Sequence, residues 1–193
     1  MITRDTLSVL IISRKPEMRR QLRSLLDREH FGSSANADDP EQARRLLLHN
    51  SYDIVIIDSP MPNVICHELA LDIIEQGASS VILLTEAEMY DETRYRVEGE
   101  GVVTVAKPAS PDMISTAINI SVATHNRILA IEEENKRLRF KNEEMRLCNR
   151  AKWALHDNLG MDEPTAHRYI EKTAMNNRMT RYAVAKQILK EYE

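Results

Sequence analysis

The chain has 193 residues, of which 42% are hydrophobic, 29% charged and 5% aromatic, and its formal net charge is −4. No apolar run is long enough to cross a membrane, and the first residues do not read as a secretory signal, so we expect a cytoplasmic protein without a membrane partner. The length predicts one domain followed by a helical extension. The cysteines Cys66 and Cys148 lack metal-ligand spacing, so no metal site is predicted from them.

Charge is unevenly distributed along the chain. From Arg146 to Glu193 nine basic residues stand against six acidic ones, whereas the first 145 residues carry a net charge of −7. Between Pro164 and Lys190 six basic residues stand against Glu171 alone. A basic tail behind an acidic front favours nucleic acid as the partner of the tail, with a merely solvated basic face as the alternative.

The front of the chain alternates short aliphatic runs with amphipathic stretches. The aliphatic runs predict strands at 7–12, 53–58, 80–85 and 102–106, and a weak second strand is predicted at 31–36. The stretches between them predict helices at 16–29, 40–50, 67–77 and 88–101. Strands that are apolar on both faces and alternate with helices are typical of a sheet covered on both sides. The predicted fold class is α/β, a doubly wound five-stranded parallel sheet.

Polar residues follow the predicted strands, at the edge where functional residues of such sheets collect. These residues are Ser13 and Arg14 after the first strand, Asp58 after the third, Thr85 after the fourth and Lys107 after the fifth. An Asp beside a hydroxyl and an ammonium is a constellation that accepts a phosphoryl group as an acyl phosphate. Asp58 is therefore the candidate phosphoacceptor.

This set resembles the response-regulator receiver domain over about residues 6–120. The matching residues are Asp58 with the following Met61 and Pro62, Thr85 at its strand end, and Lys107 with Pro108. The resemblance implies a flavodoxin-like receiver whose input comes from a sensor kinase or from a regulatory protein.

The acidic pair that holds magnesium in receivers is missing, because Ser13 and Arg14 occupy those positions. A magnesium site usually needs carboxylate oxygens, so no cofactor is expected. The aromatic position three residues before Lys107 is Thr104. Two readings follow: Asp58 pairs with Lys107 or Arg14 and does no phosphotransfer, or Arg14 replaces the metal electrostatically. Both make the domain a pseudoreceiver.

The middle of the chain predicts one long helix, because neither proline nor glycine occurs between Pro111 and Gly160. Residues 121–149 contain a 4-3 repeat, and Asn at one of its seam positions favours a parallel, two-stranded coiled coil. A homodimer is expected, with packing of the apolar stripe on the chain's own receiver as the alternative. The predicted seam is Ile128, Ile131, Asn135, Leu138, Asn142 and Met145.

The tail contains three short helical patterns that predict a small all-α unit. The first ends at Gly160, the second begins after the N-cap candidate Asp162, and the third follows Thr180. One shared core is expected from Ala151, Ala154, Leu155, Ala166, Tyr169, Ile170, Ala174, Met175, Val184, Ala185 and Ile188.

The tail resembles an ANTAR domain, the RNA-binding module of transcription antitermination regulators. The resemblance rests on Ala151, Lys152, Leu155, Gly160, Ala166, Tyr169, Ala174, Met175, Arg178, Val184 and Ala185. It implies a non-enzymatic protein that binds paired hairpins in leader RNA and prevents a terminator from forming. The predicted domains are a receiver at 1–120, a coiled coil at 121–149 and an ANTAR domain at 150–193.

The expected RNA contacts are basic, amide and aromatic side chains of the tail, because cations bind phosphates and aromatic or amide groups read unpaired bases. The candidates are Lys152, Arg168, Lys172, Asn176, Asn177, Arg178, Arg181, Tyr182 and Lys186. Two other functions stay open at this point: a DNA-binding response regulator, and an adaptor that binds only proteins.

Overall fold

The computed structural model describes residues 6–29, 31–77 and 79–192. The chain divides into two compact units, Met1–Ala130 and Ile131–Glu193, which we call the N-terminal and the C-terminal unit. Within the described ranges, no helix combines the length and the apolar character needed to span a bilayer.

The N-terminal unit contains a five-stranded parallel sheet of order β2-β1-β3-β4-β5. Its strands are β1 (Ser8–Ile12), β2 (Ser33–Ala37), β3 (Ile54–Asp58), β4 (Ser80–Glu86) and β5 (Val103–Lys107). Its helices are α1 (Pro16–Arg28), α2 (Pro40–His49), α3 (Cys66–Gln76), α4 (Tyr90–Val97) and the start of α5 (Pro111–Leu159). The predicted fold class is confirmed.

Each central strand contributes to two cores, because successive side chains point to opposite faces of the sheet. In β3, Val55 and Ile57 belong to one hydrophobic cluster and Ile54 and Ile56 to the other. All four side chains are fully buried. Burial of such a side chain stabilises a fold by about 1.5–3 kcal/mol. Both faces of the sheet are therefore covered by helices. A functional site can form only where the strands end and polar side chains follow them.

The helix predicted at 88–101 is shorter than expected. Regular α-helix is confined to Tyr90–Val97, with one turn of 3₁₀-helix on each side. The chain then reverses at Gly101, whose φ of 81° lies in the left-handed region that glycine adopts without steric cost.

The C-terminal unit combines the end of α5 with α6 (Glu163–Asn177) and α7 (Arg181–Tyr192). The Asp162 side chain accepts a hydrogen bond from the Thr165 amide and caps α6, as predicted. Hydrogen bonds from the Thr165 side chain and from its backbone amide lower the pKa of Asp162. The buried core consists of Ala151, Ala154, Leu155, Ala166, Ile170, Ala174, Val184, Ala185, Ile188 and Leu189.

Two residues expected in this core lie outside it, and one member was missed. Met175 is 79% exposed and Tyr169 is 43% exposed. The buried stripe of α6 follows Ala166, Ile170 and Ala174 at four-residue spacing, which turns the neighbouring positions away from the core. Leu189 was not predicted, although it is a buried member of the cluster.

Candidate functional site

The carboxyl ends of the strands bring together four of the five predicted receiver residues. Ser13, Asp58, Thr85 and Lys107 are all buried. They lie at or directly after the ends of β1, β3, β4 and β5, which neighbour one another in the sheet. Arg14 is exposed, and the described contacts of Asp58 do not include it.

Both carboxylate oxygens of Asp58 are occupied by neighbouring side chains. The Ser13 hydroxyl donates to Oδ2 and the Lys107 ammonium donates to Oδ1, each at 2.7 Å. Ser13 Oγ also accepts a hydrogen bond from the Lys15 amide at 3.1 Å, which fixes the hydroxyl in place. Of the two partners considered for Asp58, the structure selects Lys107.

Lys107 has a third partner that sequence reasoning missed. Besides Asp58, its ammonium contacts the Ser59 carbonyl and lies 3.0 Å from Glu86 Oε1. Burial disfavours the charged ammonium, but the hydrogen bonds and charges of Asp58 and Glu86 outweigh burial and raise the pKa of Lys107. Because an ammonium has three N–H donors, these three oxygens account for all of them. A phosphoryl oxygen would have to displace one.

The residues beside Asp58 do not fit a magnesium ion. Ser13 presents a hydroxyl that already donates to Asp58, and Arg14 adds a positive charge where a second carboxylate would be needed. A hard divalent cation prefers several oxygen ligands, with carboxylates among them. No step is therefore assigned to a metal at this site.

The predicted RNA contacts of the C-terminal unit are mostly free of the core. Arg168 and Lys172 are exposed at four-residue spacing on α6, followed one turn later by exposed Asn176. Asn177 ends this helix, and Arg178, also exposed, follows it in a left-handed conformation with φ of 53°. These side chains are accessible to a phosphate backbone.

Lys152 is less accessible than predicted. Its side chain is only 17% exposed, and its ammonium lies 2.9 Å from Glu163 Oε1. The hydrogen bond from Lys152 lowers the pKa of Glu163, so this carboxylate stays charged. A contact between Lys152 and a phosphate would need this ion pair to open.

Arg178 and Arg181 line one shallow depression of about 500 Å³, together with exposed Met175. Arg181 also lies 3.5 Å from Glu144 and 3.8 Å from Glu171, so part of its charge is balanced within the unit. The depression is also lined by Glu171, Ala174 and Met179, so its two cations lie beside one carboxylate and apolar side chains.

A parallel sheet of this order, with Asp, Thr and Lys at the ends of its third, fourth and fifth strands, is the architecture of a signalling receiver. The chain matches the response regulator receiver domain over residues 9–119 and the ANTAR domain over residues 136–189. It therefore belongs to the response regulator receiver family and carries an ANTAR domain, and this is a family of regulatory proteins rather than enzymes.

Known relatives agree with this assignment. The transcriptional regulatory protein PdtaR of Mycobacterium tuberculosis is 29% identical over 181 residues, which cover 94% of this chain and 88% of PdtaR. The solved structure of a two component transcriptional regulator AraC from Clostridium phytofermentans has a TM-score of 0.58 at 22% identity, covering 63% of this chain and 97% of that one. The solved structure of a response regulator receiver domain protein from Clostridium thermocellum has a TM-score of 0.56 at 24% identity, covering 65% of this chain and 98% of that one. These two structures support the receiver fold alone.

Proposed function

We propose that this protein is a dimeric cytoplasmic antiterminator that binds paired hairpins in leader RNA and so prevents a terminator from forming. The observation that carries the proposal is the ANTAR match over residues 136–189, within which the stretch from Pro164 to Lys190 has six basic residues against one acidic residue. Phosphate contacts from such a stretch supply most of the affinity for RNA.

The proposal is tested by transcription in vitro through a leader that carries two hairpins and a terminator. Adding the full-length protein is expected to increase read-through, because the bound hairpins exclude the terminator stem. Read-through that stays unchanged on this leader, although the protein binds its hairpins, would contradict antitermination. A leader with scrambled hairpins serves as the control.

We further propose that the receiver unit works without phosphorylation, as a pseudoreceiver. Both carboxylate oxygens of Asp58 already accept hydrogen bonds, and all three N–H donors of Lys107 already have partners. In addition, Ser13 and Arg14 stand where two acidic residues would bind magnesium. Its input is then a regulatory protein that contacts the receiver. A sensor kinase is the alternative input.

Restoring the acidic pair should create a magnesium response. In the Ser13→Asp/Arg14→Glu variant two carboxylates would join Asp58, so we expect lower stability without Mg²⁺ and stabilisation by about 2.7 kcal/mol when Mg²⁺ exceeds its dissociation constant about 100-fold. Thermal melting with and without Mg²⁺ measures this. The Arg20→Asp/Arg23→Glu variant, changed on α1, is the control. Equal stabilisation of the wild-type protein by Mg²⁺ would contradict the pseudoreceiver.

The dimer is proposed to form along α5. Ile131, Leu138 and Met145 recur at seven-residue spacing and are 52%, 53% and 60% exposed in the single chain. Asn135 and Asn142 lie between them, at positions where Asn favours a two-stranded, in-register pair. A second copy of this helix would cover the three apolar side chains and present two ANTAR domains to two hairpins, with the affinity gain of a linked pair.

A matched pair of substitutions tests the seam. Leu138→Asn is expected to raise the dimer dissociation constant at least about tenfold, because it replaces a buried leucine of the seam with a polar amide. Phe140→Asn is the control, since Phe140 lies on the same helix, is 50% exposed and does not occupy a seam position. Sedimentation velocity over a concentration series measures both. If both variants stay dimeric, or if Phe140→Asn weakens the dimer as much as Leu138→Asn does, α5 does not pair through this seam.

A further inference from the structure

A partly exposed aromatic pair links α5 and α7 within the C-terminal unit. The ring centroids of Phe140 and Tyr182 are 5.4 Å apart, and the ring planes are tilted by 37°. Phe140 is half exposed and Tyr182 is half-buried. Phe140 is not part of the predicted dimer seam, so a partner copy does not account for its exposure.

The Tyr182 ring is held by two polar contacts. The Lys186 ammonium lies over its face, 4.7 Å from the centroid, which is the geometry of a cation–π interaction. On its edge, the Tyr182 hydroxyl donates to Glu143 Oε1 at 3.2 Å. The pair is therefore ordered before any ligand arrives, and its cation lies directly beside the rings.

We propose that Phe140, Tyr182 and Lys186 form a stacking platform for an unpaired RNA base, with Lys186 contacting the neighbouring phosphate. The proposal rests on the RNA-binding function proposed above and adds Phe140, on α5, to the predicted RNA contacts. Proteins that bind unpaired nucleotides combine aromatic faces with cations in this way, and each stacked base contributes substantially to affinity.

The charge around the platform favours RNA over an apolar protein partner. Phe140 is flanked in sequence by Arg139 and Lys141, and Lys190 follows Lys186 by one turn of α7. The carboxylate of Glu143 accepts the hydroxyl of Tyr182. An exposed ring next to a tyrosine whose face carries a cation is complementary to a base attached to a phosphate backbone.

Phe140→Leu separates stacking from packing, since it keeps an apolar side chain but removes the ring. We expect the dissociation constant for a synthetic two-hairpin RNA to rise about five- to hundredfold. The slope of log affinity against log salt should not change, because no phosphate contact is removed. The dimer and the melting temperature should match the wild-type protein. A 2-aminopurine in the hairpin loop should be quenched by the wild-type protein and not by the variant.

The control is Trp153→Leu, which removes another exposed ring of α5. Trp153 is 68% exposed and packs edge-on against His156, with ring centroids 6.1 Å apart, outside the platform. Unchanged RNA affinity of Phe140→Leu, or an equal loss in Trp153→Leu, would overturn the platform while leaving RNA binding by the wild-type protein intact. If the wild-type protein binds no RNA, the proposed function itself fails.

Discussion

Lys107→Ala is expected to lower the free energy of unfolding of the receiver by about 3–5 kcal/mol, because it leaves a buried carboxylate without its cation. Asp58 is 3% exposed and Lys107 is 8% exposed. The pKa of Lys107 is raised in the folded protein, so its stabilisation is complete below the ordinary lysine pKa and is lost only as pH rises through the raised value. The full loss of unfolding free energy in Lys107→Ala is therefore expected at neutral pH. Urea unfolding, with hydrogen exchange of β3 and β5 amides, measures it.

A double variant tests the electrostatic cause of this loss. Asp58→Asn combined with Lys107→Met leaves no buried charge without a partner, because the Glu86 carboxylate is 43% exposed and stays hydrated. It should therefore cost less than the sum of the two single changes. Lys15→Ala, at an exposed position near the same sheet edge, is the control and should change stability by less than about 0.5 kcal/mol. A cost for Lys107→Ala no larger than for this control would show that the pair does not stabilise the receiver.

Charge reversal in the ANTAR domain should have the largest effect on RNA. Arg178→Glu with Lys186→Glu is expected to weaken binding to a two-hairpin RNA at least about 100-fold at low salt, because it removes two cations and adds two repelling charges. Each lost phosphate contact should also reduce the slope of log affinity against log salt by about one unit. Both side chains are exposed, so the fold should persist. Fluorescence anisotropy across a salt series measures affinity and slope together.

The control for this variant reverses two charges elsewhere. Arg23→Glu with Arg28→Glu changes α1 of the receiver by the same net charge. Its RNA affinity should stay within about threefold of the wild-type value, because every cation of the ANTAR domain is retained. An equal loss in both variants would mean that total charge, rather than a local contact, governs binding.

The receiver sheet was predictable because its strands carry their own signal. Runs such as Ile54–Asp58 are aliphatic on both faces, which distinguishes a parallel strand from an amphipathic helix. The grouping of the polar residues was predictable as well, because neighbouring parallel strands present their carboxyl ends at one edge of the sheet. What the strands could not indicate was the third partner of Lys107. Glu86 follows Thr85 in the chain, but only the side-chain geometry shows its carboxylate turned toward the ammonium.

In the C-terminal unit, composition and helix caps predicted the three helices but not every buried face. Met175 has an apolar side chain, yet it lies one position beyond the buried stripe that ends at Ala174. A short amphipathic helix leaves the edge of its stripe ambiguous until its neighbours are known. The pairing of Phe140 with Tyr182 depends on the return of α7 along α5, and no local pattern encodes it. The domain bounds at 120 and 149 stay a prediction, since α5 runs unbroken through both.

The most direct measurement is binding of the purified full-length protein to a synthetic two-hairpin leader RNA, without any phosphodonor and across a salt series. A single-hairpin RNA and a duplex DNA of equal length are measured beside it. We expect tight binding that requires both hairpins, as a dimer with two ANTAR domains and an unphosphorylated receiver predicts. RNA binding that appears only with a phosphodonor would contradict the pseudoreceiver and return Asp58 to an active role. Equal affinity for RNA and duplex DNA, with or without a phosphodonor, would contradict the proposed function.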